Sequence, residues 1–227
     1  MPLPKRLQSE SEWLSAVKPW GMLHWVRDHG PVDRKLWLFA CACCRRYWNY
    51  LEQESREIIA RCEILADRPS AETETEKVKL CHRANAVATT TDRRLREGGN
   101  PEAALRFCHA AAAAVCYAAT GDPWGAHSYF CEIDGSEAAV QCNLLRDIFG
   151  NPFRPSTIDP NWLTWRDGTA VKLAQAIYDD RRYDLLPILA DALHETGCCD
   201  DAILDHCRGP GPHVRGCWVV DLVLGKS

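Results

Sequence analysis

No run of apolar residues reaches the ~18 that a helix needs to cross a bilayer, so the sequence predicts no membrane-spanning helix. The opening residues, Met1 to Glu10, hold too little apolar length for a secretory leader. Basic residues are not in excess either. Twenty-seven Lys and Arg stand against 31 Asp and Glu, a net charge of −4, which argues against a nucleic-acid partner, since such binders carry a basic face. The short clusters Arg45-Arg46, Arg93-Arg94 with Arg96, and Arg181-Arg182 read as solvated helix faces or helix ends. Internal repeats are missing. A phosphate loop is missing too: Gly209-Pro210-Gly211-Pro212-His213 lacks the Gly-x4-Gly-Lys-Ser/Thr pattern, and its prolines remove amide donors.

Cysteine is plentiful, at 13 residues, and the count is odd. An odd count fits a complete disulfide framework poorly. With no leader, the thiols read as reduced, in a cytoplasmic compartment, where cysteine behaves as a small buried hydrophobe. At 227 residues and 46% hydrophobic, the chain buries roughly 70% of its unfolded surface, so stability does not require a metal or a disulfide.

The apolar pattern is helical nearly throughout. Ser9 and Glu12 have capping-box spacing ahead of Trp13, Leu14 and Val17. Leu36, Phe39, Ala40, Cys43, Cys44, Tyr47, Trp48 and Leu51 keep a 3.6-residue period and predict one four-turn helix near the centre of the core. Ile58, Ile59, Cys62, Leu65 and Ala66 form the next face. A weaker face runs through Val78, Cys81, Ala84, Ala88 and Leu95; Thr89-Thr90-Thr91 argues against helix there, because β-branched residues lose side-chain freedom in helices.

Asn100-Pro101 opens an alanine-rich helix over 103–119, a loop follows over 124–135, and Ser136 caps a helix to Phe149. Further on, Asp167, Asp184 and Asp200 read as N-caps, and Gly197, Gly209 and Gly225 as stops. The stretch Trp218 to Leu224 has strand propensity but no partner strand, which favours helix. The expectation is a mainly α, irregular multi-helix bundle with little or no β-sheet. It divides into an N-terminal helical region, 1–150, and a C-terminal helical module, 151–227, packed against it or merged into one domain.

The densest chemical cluster is Cys198, Cys199, His206, Cys207, His213 and Cys217. His213-x3-Cys217 places two zinc-competent ligands on one helical face, the Gly-Pro turn folds Cys207 back toward them, and Cys198 or Cys199 completes a tetrahedron. Against this stands the absence of paired Cys-x2-Cys spacing within the cluster. The plainer alternative makes Cys207 and Cys217 core residues and His206 and His213 hydrogen-bonding groups. Cys41, Cys43 and Cys44 read as core. Cys81-His82 and Cys108-His109 cannot form dyads, because adjacent helical residues point apart. Asp221 lies inside an apolar run and needs a partner. Trp124, Trp162 and Trp165, in expected loops, suit a partner surface.

Several segments carry a resemblance: Leu144 to Pro155, Leu186 to Leu193, Ile203 to Arg208 and His213 to Asp221, with Glu12-Trp13-Leu14 and the Lys35 to Arg46 helix. Together they resemble a lineage-restricted bacterial family of unassigned activity. The resemblance implies a bacterial cytoplasmic setting and no mechanism. Three functions follow as expectations: a non-catalytic helical module for protein interaction or scaffolding, with no cofactor; a small metalloprotein stapled by zinc through Cys198, Cys199, Cys207, His213 and Cys217; or a cysteine-dependent enzyme.

Overall fold

A computed structural model describes residues 7–29, 33–68, 71–97 and 137–226. The expected alanine-rich helix, the 124–135 loop with Trp124, the Ser136 cap and Cys108-His109 lie outside the described residues. The protein is mainly α-helical, and no strand occurs among the described residues. None of the described helices is long and apolar enough to cross a membrane. Two compact units form, one from described residues of Met1–Leu7 and Ala16–Cys142, the other from Gln8–Ser15 with Asn143–Ser227.

In the first unit, α2 (Pro19–His29), α3 (Asp33–Arg45), α4 (Gln53–Ala66) and α5 (Ala71–Glu97) follow in order. α3 packs on α4, and α4 on α5. The α3–α4 contact carries a two-pronged ion pair from Arg45 to Glu63, both prongs at 2.6 Å, with Glu63 buried. A planar guanidinium matches a carboxylate in this way, and the pairing offsets the cost of burying the acid. Arg61 grips Glu76 similarly at 2.5 and 2.8 Å across α4 and α5. Cys41, Cys43, Cys44 and Cys62 are buried, as expected of core thiols.

Two helix readings need correction. α3 ends at Arg45, not at Leu51, and a 3₁₀ turn over Trp48–Tyr50 follows. The apolar pattern continues because Tyr47 and Leu51 are still buried, but the backbone turns. The Trp48 ring sits under Arg45 at 4.2 Å, and Arg56 Nε donates to the Trp48 carbonyl at 3.0 Å. The second correction concerns α5, which runs straight through the threonine run. Thr89, Thr90 and Thr91 hydroxyls each donate to the carbonyl four residues back, at 2.8 to 2.9 Å, so their polar groups are satisfied within the helix. Its buried face is Thr73, Leu80, Ala84 and Thr91, while Val78 is 56% exposed.

The second unit opens with α1 (Glu10–Ser15), where Ser9 Oγ accepts from the Glu12 amide at 3.3 Å and the Glu12 carboxylate accepts from the Gln8 amide at 2.7 Å. α6 (Glu137–Phe149) crosses the unit boundary between Cys142 and Asn143. α7 (Pro160–Thr164), α8 (Thr169–Asp180), α9 (Leu186–Glu195), α10 (Asp201–Arg208) and α11 (Trp218–Leu224) complete it. α9 packs on α10, α8 on both α9 and α11, and α10 on α11. Ala174, Ile177, Leu189, Leu193, Ile203 and Val220 are central to their shared core.

Local chemistry sets several helix ends. Asp200 caps α10 by accepting from the Ala202 and Ile203 amides at 2.9 and 3.3 Å. Gly197, at φ 95°, closes α9 with the Cys198 amide on the Leu193 carbonyl and its own amide on the His194 carbonyl. Asp167 and Asp184 do not cap. α8 starts behind Gly168 in the left-handed region with no side-chain cap, and Asp184 instead pairs with Arg182 at 2.8 Å. Trp218–Leu224 is helix, with Val219, Val220 and Val223 buried.

Candidate metal centre

Four elements of the second unit bring ionisable side chains to one point. α6 supplies Asp147, α10 supplies His206, the Gly-Pro loop delivers His213, and Cys217 stands just ahead of α11. Asp147 is 3% exposed. Its Oδ1 accepts from His213 Nδ1 at 2.7 Å and lies 3.1 Å from His206 Nε2, and its Oδ2 accepts the Val214 amide at 2.9 Å. His206 Nε2 also lies 3.2 Å from Cys217 Sγ. One ligand atom from each of Asp147, His206, His213 and Cys217 falls within 4.8 Å of all the others.

The surrounding backbone explains why the loop can deliver His213. Gly211 has φ 80°, and a Cβ there would stand 2.9 Å from the His213 amide nitrogen. Only glycine takes that conformation without strain and permits that approach. Gly150, just past α6, has φ 64°, and a Cβ there would meet the Trp218 ring at 3.1 Å. Its carbonyl accepts from the Trp13 indole at 3.0 Å. Trp218 in turn flanks His206, ring centroids 5.1 Å apart, and His206 meets His213 edge-on at 4.9 Å.

The electrostatics follow from burial and pairing. Burial pushes the Asp147 carboxyl up, but the hydrogen bonds from His206 and His213 outweigh it and hold the group below its ordinary value. Burial pushes His213 down, and the Asp147 carboxylate reverses that, raising it above the usual histidine range. Both His213 nitrogens face acceptors, Nδ1 toward Asp147 and Nε2 toward the Gly209 carbonyl at 3.3 Å. Without a metal, that pair of acceptors calls for the imidazolium form. The Cys217 thiol is driven well up by burial and by the negative Asp147. Cys207 is pushed up to about 12 for the same reasons.

The ligand set inferred from spacing maps onto this centre incompletely. His213 and Cys217 converge. Cys198 and Cys207 pack in the core shared by α8 to α11, and Cys199 is exposed with its Sγ 3.5 Å from the Gly197 carbonyl. Asp147 and His206 stand where spacing puts those cysteines. His206 belongs to the sequence cluster, where it reads as a hydrogen-bonding group. Asp147 escapes the spacing argument, although its position carries a signal. It lies between Leu144, Leu145 and Ile148, all buried, on the apolar side of its helix, and a carboxylate there needs a partner.

The residues fit a divalent metal in chemistry. A thiolate, two imidazoles and a carboxylate are a zinc-competent set, and the thiolate favours zinc over harder cations. Ligand atoms about 2.1 Å from a tetrahedral ion stand about 3.4 Å from one another. The 2.7 to 3.2 Å separations here are those of a hydrogen-bonded cluster, which a small outward shift of each side chain converts to that spacing. A cysteine nucleophile fits less well. In a thiol–histidine–carboxylate relay the imidazole faces the thiol with one nitrogen and the carboxylate with the other. Here the same His206 nitrogen faces both. The four groups converge on a point instead of forming a chain. No protein-family model, no curated protein and no solved structure matches the chain.

Proposed function

We propose that this chain is a non-catalytic helical module whose C-terminal unit binds one divalent metal ion, zinc in the cell, through Asp147, His206, His213 and Cys217. The observation that carries it is the convergence of His206 Nε2 on both Cys217 Sγ and Asp147 Oδ1 at 3.2 and 3.1 Å. Bound there, the ion ties α6, α10, the Gly-Pro loop and the start of α11 together, which adds stability beyond packing. Metal binding also deprotonates Cys217, because a thiolate, not a thiol, is the ligand. Burial disarms the remaining core thiols as nucleophiles, in keeping with a scaffolding or protein-interaction role in a reducing, bacterial cytoplasmic setting.

Elemental analysis of protein purified without chelator is the direct test. The expected result is about one zinc per chain, falling below about a tenth in Cys217→Ser and in His206→Ala. Protein that carries no stoichiometric metal and takes up neither zinc nor cobalt on titration would overturn the proposal.

A further inference from the structure

The four ligands of the centre are not equally fastened. We propose that His206 is the releasable one, and that the ion is loaded and withdrawn through the adjoining cleft by a small chelating carrier that takes the place of His206. The inference rests on the metal reading above and adds how the ion is exchanged and with what kind of molecule. With Asp147, His206, His213 and Cys217 bound, the tetrahedron is complete and holds no further ligand at rest.

A metal-bound side chain is normally held by a second contact behind it, and losing that contact weakens metal binding about 10- to 100-fold. Three of the four ligands have such a hold. Asp147 offers Oδ1 to the centre while its Oδ2 accepts the Val214 amide at 2.9 Å. His213 offers Nδ1 while its Nε2 faces the Gly209 carbonyl at 3.3 Å. Cys217 is fully buried, and its backbone is bonded on both sides, the amide to the Val214 carbonyl and the carbonyl to the Asp221 amide, each at 2.9 Å. His206 differs. Its contacts with Cys217 Sγ and Asp147 Oδ1 both use Nε2, and among the described residues nothing bonds Nδ1. It stands in the last turn of α10, and its side chain is 18% exposed, against 10% for His213 and 2% for Asp147.

The cleft supplies the route. It encloses about 260 Å³ and is lined by Asp147, His206 and His213 but not by Cys217. An incoming donor therefore meets the ion on its imidazole and carboxylate side, with the thiolate behind. Zinc has no geometry imposed by its d electrons and can expand to five ligands, so a donor binds before His206 leaves. A chelator with two or more nitrogen, oxygen or sulfur donors then displaces His206, His213 and Asp147, and Cys217 lets go last, taking up a proton as the ion departs. The volume lies below the roughly 300 Å³ at which small-molecule pockets usually begin, so the carrier is a few-atom chelator and not a folded protein.

The test uses the full-length protein loaded with cobalt(II), whose thiolate-to-metal charge-transfer band reports the ion on Cys217. Withdrawal is timed from the decay of that band with an EDTA monoamide, free or coupled directly to dextran, over a range of concentrations. The expected result is a rate that rises in proportion to the free chelator and, for the dextran form, a slower rate indifferent to concentration. Asn143→Trp narrows the mouth at an exposed position of α6. It should slow the free chelator about tenfold and leave cobalt affinity within about threefold of wild type. His206→Ala, which loses the metal, should regain the charge-transfer band when free imidazole is supplied, because imidazole reaches the vacated corner from the cleft. Should either variant not fold, as judged by circular dichroism, the two chelators on wild-type protein decide. A withdrawal rate independent of free chelator means that the ion leaves only when the fold opens; it overturns the cleft route and leaves a closed metal staple standing. A dextran-coupled chelator as fast as the free one, or a folded Asn143→Trp as fast as wild type, overturns the route as well. Folded His206→Ala that imidazole does not restore overturns the releasable ligand. A charge-transfer band that never forms in the wild-type protein overturns the metal reading together with this one.

Discussion

His213 Nδ1 donates to Asp147 Oδ1 at 2.7 Å across 66 residues of chain, and the next residue, Val214, donates its amide to the other carboxylate oxygen at 2.9 Å. The buried acid thus takes both a side-chain and a main-chain bond from one short segment. That clamp holds the Gly-Pro loop on α6 in the metal-free protein.

Asp147→Asn tests the clamp. The change keeps the shape and removes the charge, leaving His213 with no anionic partner at this point. Breaking a buried pair in this way costs about 3 kcal/mol. Urea unfolding with chelator present should show that loss. In metal-loaded protein, chelator should lower the wild-type Tm and leave the Tm of the Asp147→Asn variant unmoved, because the variant has no site to empty.

The pH dependence of the metal-free protein follows from opposite shifts. Asp147 is held below its ordinary value. Its stabilisation is present above the unfolded carboxyl value of about 4 and is lost as pH falls through the lower folded value. His213 is raised above its ordinary value. Its stabilisation is complete below the unfolded value of about 6.5 and is lost as pH rises through the raised folded value. Denaturant unfolding in chelator should therefore give greatest stability between about pH 4 and 6.5. Metal affinity should run the other way, rising with pH as His213 and Cys217 give up roughly two protons to the ion. Stability of the metal-free protein that climbs steadily to about pH 8 would contradict the His213 assignment.

Gly150→Ala combines two penalties. The residue sits at φ 64°, and the added methyl would stand 3.1 Å from the Trp218 ring. We expect a loss of about 1–3 kcal/mol in thermal unfolding. The near-ultraviolet circular dichroism should change as well, because Trp218 has to shift. An unaltered tryptophan signal at wild-type stability would refute this packing.

Asp200→Ala removes the two amide acceptances that cap α10. The expected cost is about 1 kcal/mol by denaturant titration, with Asp200→Asn close to wild type. Since α10 carries His206, the alanine variant should also bind cobalt more weakly.

Much of the helical framework is legible in the sequence because its determinants lie within a few residues. The Ile58, Ile59, Cys62, Leu65 and Ala66 face of α4 is buried as its period implies. Capping by Asp200 is readable, as is the stop at Gly225, which takes φ 64°. The face of α5 is misphased by a count of apolar residues, which overlooks Thr73 and Thr91, at 3% and 1% exposed. The hydroxyl of each donates to a carbonyl of the chain, Thr73 to Arg68 and Thr91 to Val87, so both bury as readily as alanine. Asp167 and Asp184 resemble caps in any local reading, yet each lies close to an arginine in the chain, and Asp184 is engaged by Arg182 instead.

At the candidate centre the division is sharper. His213 and Cys217 do converge, but not on the one helical face that their four-residue spacing suggests, because both precede the helix that starts at Trp218 and a turn brings them together. His206 is within sight, since it lies 11 residues from Cys217. Asp147 is not, because nothing local distinguishes an acid that meets a histidine far along the chain from one that meets water. By itself the sequence determined most of the described helices, the stops at Gly197, Gly209 and Gly225, and the thiol-rich core, all consequences of contacts between near neighbours. Only the tertiary structure decided which of the many cysteines, histidines and acids share a point in space. That choice depends on how α6 and α10 direct their side chains, and long-range packing, not chain order, sets those directions.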